Sequence, residues 1–373
     1  MWNPGMLKYK GRLWVSYRFH LGREHASRCA TALVPLDRST FQPTALSQHL
    51  NLMATVGDEH FEDARLFMFK GRPHISYTQM TGYKPGVDFK CVIKYARLRL
   101  LGNRWIIEET FYPKYGRNDG TAKEKNWVFF EHEGALHCVY ADGPQHIVLK
   151  LDGETVVQEY TSPAAFWPWG LIRGGSAPIP YGDGKMLAIF HSSIRTEEAP
   201  HYVRYYAGAY LFEDHPPFAI TDISSRPIAA GSEADGHGYD PRYSEGWKPY
   251  VVFPGGCIPD EEAWIVAFGI NDWQCAIGRI TSNQFQFVPP DGTKSPMRYF
   301  KIVNGSRPVQ IIGIDGQTKW LKWDTPNVDR RGMMAPAGYY ATKDGRESEI
   351  ISEIPMIEEI NSDQYRKATK KDA

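Results

Sequence analysis

Glu62-Asp63-Ala64-Arg65 delivers carboxylates and a guanidinium together, directly before the apolar run LFMF. Taken alone, acid beside base reads as an exposed ion pair worth little. The signal lies in its recurrence, because polar groups stand in the same relation to other strand-like runs. Asn3-Pro4-Gly5 precedes the first such run and Tyr17-Arg18 closes the next. Lys125-Asn126-Trp127 and Arg173-Gly174-Gly175-Ser176 precede two more, and Asn271-Asp272 follows the last. Side chains of these types would converge only if the runs they flank were arranged around a common axis.

The runs belong to a phrase that occurs five times: an alternating strand, a Gly- or Asp-centred turn, and a second strand. It reads LKYKGRLWVSYR from Leu7, LFMFKGRPHISYT from Leu66, VFFEHEGALHCVYA from Val128, APIPYGDGKMLAIFHS from Ala177 and VFPGGCIPDEEAWIVAFG from Val252. The turns lie roughly 50 to 80 residues apart, at or above the longest usual blade period. A lone hairpin cannot bury both faces or satisfy its edges, whereas copies packed radially can. The expectation is an all-β, five-bladed β-propeller with a C-terminal extension. Further alternating runs, Val92 to Leu100 and Val203 to Leu211, supply outer strands. The long polar linkers Lys114 to Glu124 and Gly231 to Gly246 are expected to shape a site on one face. The phrase stops near Pro290, so residues 1–290 are expected to be the propeller and 291–373 closing strands or an accessory hairpin with a charged tail.

Forty-three basic residues balance 43 acidic ones, so no global field draws the chain to nucleic acid or an anionic membrane. Cys29, Cys91, Cys138, Cys257 and Cys275 form no CxxC pair and are expected to be buried thiols in a reducing compartment. With no charged-then-apolar leader before Asn3 and no apolar run near ~18 residues, a soluble cytoplasmic protein is expected. A homo-oligomer is left open. The histidines form no H-E-x-x-H set and no G-x-G-x-x-G or Walker pattern occurs, so neither metal nor cofactor is expected. Phe166-Trp167-Pro168-Trp169 reads equally as a sugar-stacking acceptor subsite or as packing between blades.

Together these phrases resemble glycoside hydrolase family 130, the five-bladed inverting β-mannoside phosphorylases and hydrolases, and the related β-mannosyltransferases. Asn3-Pro4-Gly5 with Tyr17-Arg18 is similar to the family's N-P-G and L-L-Y-R; Glu62-Asp63-Ala64-Arg65 to E-D-P-R; and Phe190-His191 to its I-Y-H-G strand. The run from Tyr205 through PPFAITDISSRPI, then VVFPGG from Val251 and Gly269-Ile270-Asn271-Asp272, match in order, covering about residues 3 to 290. The resemblance implies a carbohydrate substrate and Asp63 as general acid, protonating the glycosidic oxygen through a sugar hydroxyl. It also implies that Asn3, Arg18, Arg65 and Asp272 hold the glycon sugar, with Lys125, Asn126, Arg173 and His191 as further substrate contacts.

A phosphorylase additionally needs a cationic pocket for phosphate. The family's phosphorylases carry an Arg pair on the third blade, where this chain has Lys125 and the neutral stretch His137 to Ala141. Hydrolysis or transfer is therefore favoured, with inorganic phosphate or a nucleotide sugar as conceivable co-substrates. Hydrolysis requires a base across the ring from Asp63, and Glu131 or the Glu197-Glu198 pair are the candidates. The alternatives are a nucleotide-sugar-dependent glycosyltransferase and a non-catalytic glycan-binding propeller. The invertase and arabinanase propellers place an acid on the first blade, where this chain has Asn3-Pro4-Gly5.

Overall fold

The computed structural model describes residues 2–20, 29–50, 60–81, 90–116, 118–121, 123–142, 145–167, 169–195, 201–231, 247–272, 274–291, 299–302, 310–312, 318–320, 338–341 and 357–360. Its local rule is the tight turn. Lys10-Gly11, Lys70-Gly71, Glu133-Gly134 and Asp183-Gly184 each place two successive residues at positive φ. That twist matches the right-handed twist of the flanking strands, so each pair closes a hairpin. The fifth turn, Ala263 following Glu261-Glu262, has Glu261 at φ 54° and no glycine.

The first blade is a four-stranded antiparallel sheet of Trp2–Tyr9, Arg12–His20, Cys29–Leu36 and Gln48–Leu50. The second runs His60–Phe69, Arg72–Thr81, Lys90–Leu101 and Arg104–Phe111. The third runs Val128–His132, Ala135–Asp142, Gln145–Asp152 and Thr155–Pro163. In the fourth, Arg173–Gly174 and Ile179–Gly182 both pair with Lys185–Arg195, which pairs with His201–Glu213 and through it with Ile220–Ser224. The fifth has three strands, Val252–Asp260, Ala263–Ile270 and Gln274–Thr281.

Every neighbouring pair of blades shares an apolar core, and the last pair closes the ring. Leu7, Trp14 and Leu33 of the first blade pack on Leu66 and Ile75 of the second. Phe67 and Tyr95 meet Phe129 and Leu149; Val128 and Val148 meet Phe190 and Tyr210; Ile189 and Leu211 meet Val266 and Phe268. Ile258 and Ile265 of the fifth blade then pack on Met6, Val15 and Val34 of the first. Alternating strands bury one face in each direction, and five such interfaces leave no blade with an open face. The inner strands approach one another through glycines. A Cβ on Gly255 would lie 2.3 Å from the Pro4 carbonyl oxygen, and one on Gly174 would lie 2.1 Å from that of Asn126.

Beyond residue 291, strand Tyr299–Ile302 pairs with Gly338–Ala341 and Ile357–Ile360, and Gln310–Ile312 pairs with Thr318–Trp320. None of these described strands joins the fifth sheet. Cys29, Cys91, Cys138 and Cys257 are buried and in no disulfide, but Cys275, expected inside, is exposed on the third strand of the fifth blade.

Candidate active site

The turn between the first and second strands of every blade lies at one end of the ring, so the starts of the inner strands and the ends of the second strands lie at the other. That is where the sequence phrases place Asn3, Arg18, Asp63, Lys125, Asn126, Arg173, His191 and Asp272. The backbone marks the same places. Asn3 (φ 49°), Asp63 (φ 55°), Asn126 (φ 66°), Asn271 (φ 51°) and Asp272 (φ 50°) are all left-handed without being glycine. In the first and second blades the strand register also shifts, between Trp2 and Gly5 and between Glu62 and Arg65. Such bulges re-aim a side chain out of the sheet, and left-handed Asn or Asp persists where surrounding structure holds it.

Asp63, 7% exposed, accepts a 2.7 Å hydrogen bond from Asn3 Nδ2, joining the first two blades. Arg18 Nη1 lies 3.8 Å from the same carboxylate. Glu62 turns the other way and bridges two cations. One of its oxygens pairs with Arg18 Nη2, and the other is 2.8 Å from Lys125 Nζ of the third blade. Burial alone would draw the Arg18 guanidinium down, but Glu62, with Asp63 and Asp272, reverses this and keeps it charged. Lys125 behaves alike: burial works against its ammonium, and Glu62 and then Asp63 hold it above the ordinary lysine range. Replacing Glu62 by Gln would remove the carboxylate that lies between the buried Arg18 and the partly exposed Lys125. Glu62→Gln is expected to lower unfolding stability by about 3 kcal/mol, checked by urea denaturation.

On the opposite side of the mouth, Arg173 and His191 are directly paired across their strands. His191 is buried between Tyr205, with ring planes 14° apart, and Phe253, with centroids 4.7 Å apart. Burial, then Arg173 and Arg65, push its imidazole well below the ordinary histidine value, so it carries no charge at neutral pH. Burial and then Asp272 raise the Tyr205 phenol, which is therefore a neutral hydroxyl in the same neighbourhood. Arg173 donates weakly to Ser193 Oγ at 3.5 Å and has no carboxylate in ion-pair range among the described residues.

The structure bears on three of the sequence readings. Arg65, expected to hold a sugar, is 3% exposed and gives its donors to protein oxygens of Asp63, Asn126, Gly174 and Gly175. Glu131 lies at the turn end of the ring, where its carboxylate accepts the Lys70 amide at 2.7 Å. Seven residues of extended strand, about 20 Å, separate Lys70 from Asp63, too far for a base acting on one sugar ring. Phe166, Trp167 and Trp169 are buried, and Trp167 Nε1 donates to Ser192 Oγ, so this run is packing between blades rather than a stacking subsite. Glu197, Glu198, Pro168 and most of the Gly231 to Gly246 loop lie outside the described residues. Ser16, Tyr205 and Phe253 were not singled out by sequence. A Ser within the apolar stretch Leu13 to Tyr17 was the available signal for the first.

No family model matches the chain, and no curated protein matches it in sequence. Its fold does match solved structures. One is the β-1,2-mannobiose phosphorylase from Listeria innocua in complex with β-1,2-mannobiose, with 13% identity where the chains align, 76% of this chain and 90% of that one covered, and a TM-score of 0.52. A second comes from the GH130 family of mannoside phosphorylases, which contains glycoside hydrolases that target β-1,2 mannosidic linkages in Candida mannan: 12% identity, 76% and 84% coverage, TM-score 0.50. A third is the α-L-arabinofuranosidase from Lactobacillus brevis, at 11% identity, 77% and 94% coverage and TM-score 0.50. The chain thus has the five-bladed propeller fold that mannoside phosphorylases and hydrolases of GH130 share with other propeller glycosidases.

Proposed function

We propose that this chain is a carbohydrate-active enzyme that cleaves or forms a β-glycosidic, mannoside-like bond with inversion, Asp63 serving as general acid. The observation that carries this reading is the Asp63 carboxylate itself, turned out of its sheet by a bulge toward the mouth and hydrogen-bonded by Asn3. In the reaction, the proton of Asp63 passes to the glycosidic oxygen, directly or through a sugar hydroxyl, as the bond to the anomeric carbon breaks. An acceptor hydroxyl or water forms the new bond from the opposite face and releases its proton to a base.

Hydrolysis or transfer is favoured over phosphorolysis by the state of the cations. Arg18 and Lys125 are both paired with Glu62, Arg65 is bound to protein oxygens, and His191 is neutral. Among the described residues this leaves Arg173 of the mouth's cations, whereas phosphate is held by several charged forks at once. The deciding experiment is product analysis on a β-mannooligosaccharide panel, with and without inorganic phosphate, and with GDP-mannose plus sugar acceptors. Free mannose supports hydrolysis and chain extension supports transfer. Mannose 1-phosphate would overturn the preference, and silence in every arm would overturn the mannoside reading.

A further inference from the structure

Arg65 sits where the second, third, fourth and fifth blades meet. Its Nε donates to the Gly175 carbonyl at 2.6 Å and its Nη2 to the Gly174 carbonyl at 3.2 Å, both of the fourth blade. Nη2 also reaches Asn126 Oδ1 of the third blade at 3.2 Å, while Nη1 donates to the Asp63 carbonyl at 3.1 Å. The guanidinium carbon stands 5.0 Å from the centroid of the Phe253 ring in the fifth blade. A fork with several fixed donors can hold this many acceptors at once, and a lysine cannot.

The contact with Asp63 is to its backbone, and a second clamp holds the next residue. Ser16 Oγ, fully buried, donates to the Ala64 carbonyl at 2.8 Å and accepts the Gly5 amide at 3.1 Å. The two carbonyls of the bulge, Asp63 and Ala64, are thus gripped from opposite sides, one from the axis and one from the first blade. Residue 63 is left-handed, a conformation that costs about 1–2 kcal/mol for a residue with a Cβ. An unclamped bulge would therefore relax toward ordinary extended strand and swing the carboxylate away from Asn3.

We propose that Arg65 is a positioning residue that acts through Asp63 and not on the sugar, with Ser16 as its counterpart on the other side of the bulge. Its bearing on turnover rests on the glycoside-cleaving reading above; its bearing on the bulge does not. The test uses the full chain as Arg65→Gln, Arg65→Lys and Ser16→Ala. On an oligosaccharide that the wild type turns over, all three are expected to lose about 10²-fold in kcat with KM changed less than 2-fold, since misplacement by 1 Å has that effect. In an Asp63→Asn background the same changes are expected to have no further effect. A rise in KM with kcat kept, or restored kcat in Arg65→Lys, would instead mean contact with the sugar through charge and would overturn the proposal. Crystal structures of Ser16→Ala and Arg65→Lys need no substrate, and are expected to show residue 63 leaving the left-handed region. An undisturbed Asp63 in both would sink the positioning role whatever the enzyme acts on, and Ser16→Ala carries the test if the Arg65 variants do not fold.

Discussion

Asp63→Asn is expected to lower kcat on an unactivated oligosaccharide by about 10³-fold while leaving the fold intact. General acids contribute about 10²–10⁴-fold, and Asn has the shape of Asp but no proton to give. The substitution suits the site. Asn tolerates φ near 55° as well as Asp does, and its amide oxygen can still accept from Asn3 Nδ2. The loss should shrink sharply with an aryl glycoside whose leaving oxygen is already a stable anion, because less protonation is then needed in the transition state. Equal losses on both substrates would assign Asp63 to sugar binding, and a loss under 10-fold would remove it from the chemistry. Thermal unfolding of the variant within about 2 °C of wild type would show that the effect is chemical.

Acid should unfold this propeller early. His137 and His146 are 2% and 3% exposed, and burial pushes each down to about 4. The unfolded chain binds these protons near pH 6.5, so the stability held by the neutral rings is complete above that pH. It is lost as pH falls from 6.5 toward 4. At pH 5 the loss is about 2 kcal/mol for each ring. His74, lowered chiefly by burial, and His191 act in the same direction. For a domain of this size, Tm is expected to drop by about 10 °C between pH 7.5 and pH 5. Among the described residues His146 Nε2 has no hydrogen-bond partner and the ring packs on Tyr210 and Phe212, so His146→Phe is expected to cut the pH 5 loss by about 2 kcal/mol. A Tm that is flat from pH 7.5 to pH 5 would contradict the neutral buried state of these rings.

The repeating hairpins were legible because a tight turn is a local event. Lys-Gly, Glu-Gly and Asp-Gly between alternating strands select positive φ at two successive residues, and a strand pair follows. Five hairpins implied a ring, since blades that are apolar on both faces are covered when each packs between two neighbours. The position of the polar phrases relative to each strand was equally local, which is why Asn3, Asp63, Lys125 and Arg173 could be placed at one end of the ring. What each side chain does there was not. Arg65 and Gly175 are 110 residues apart, Lys125 and Glu62 are 63 apart, and Asn3 and Asp63 are 60 apart. The Trp167 and Trp169 rings have the composition of a sugar platform and the burial of a core.

Chain chemistry by itself thus determined the all-β blades, their number, and the end of the ring at which charge gathers, because turn and strand preferences act over a few residues. Only the tertiary structure decided that Glu62 bridges Arg18 and Lys125, that Arg65 gives its donors to protein oxygens, and that Asp63 accepts a hydrogen bond from Asn3. Those outcomes depend on distances across the axis, which are set when the fifth blade packs on the first and the glycine-lined inner strands close to within van der Waals contact.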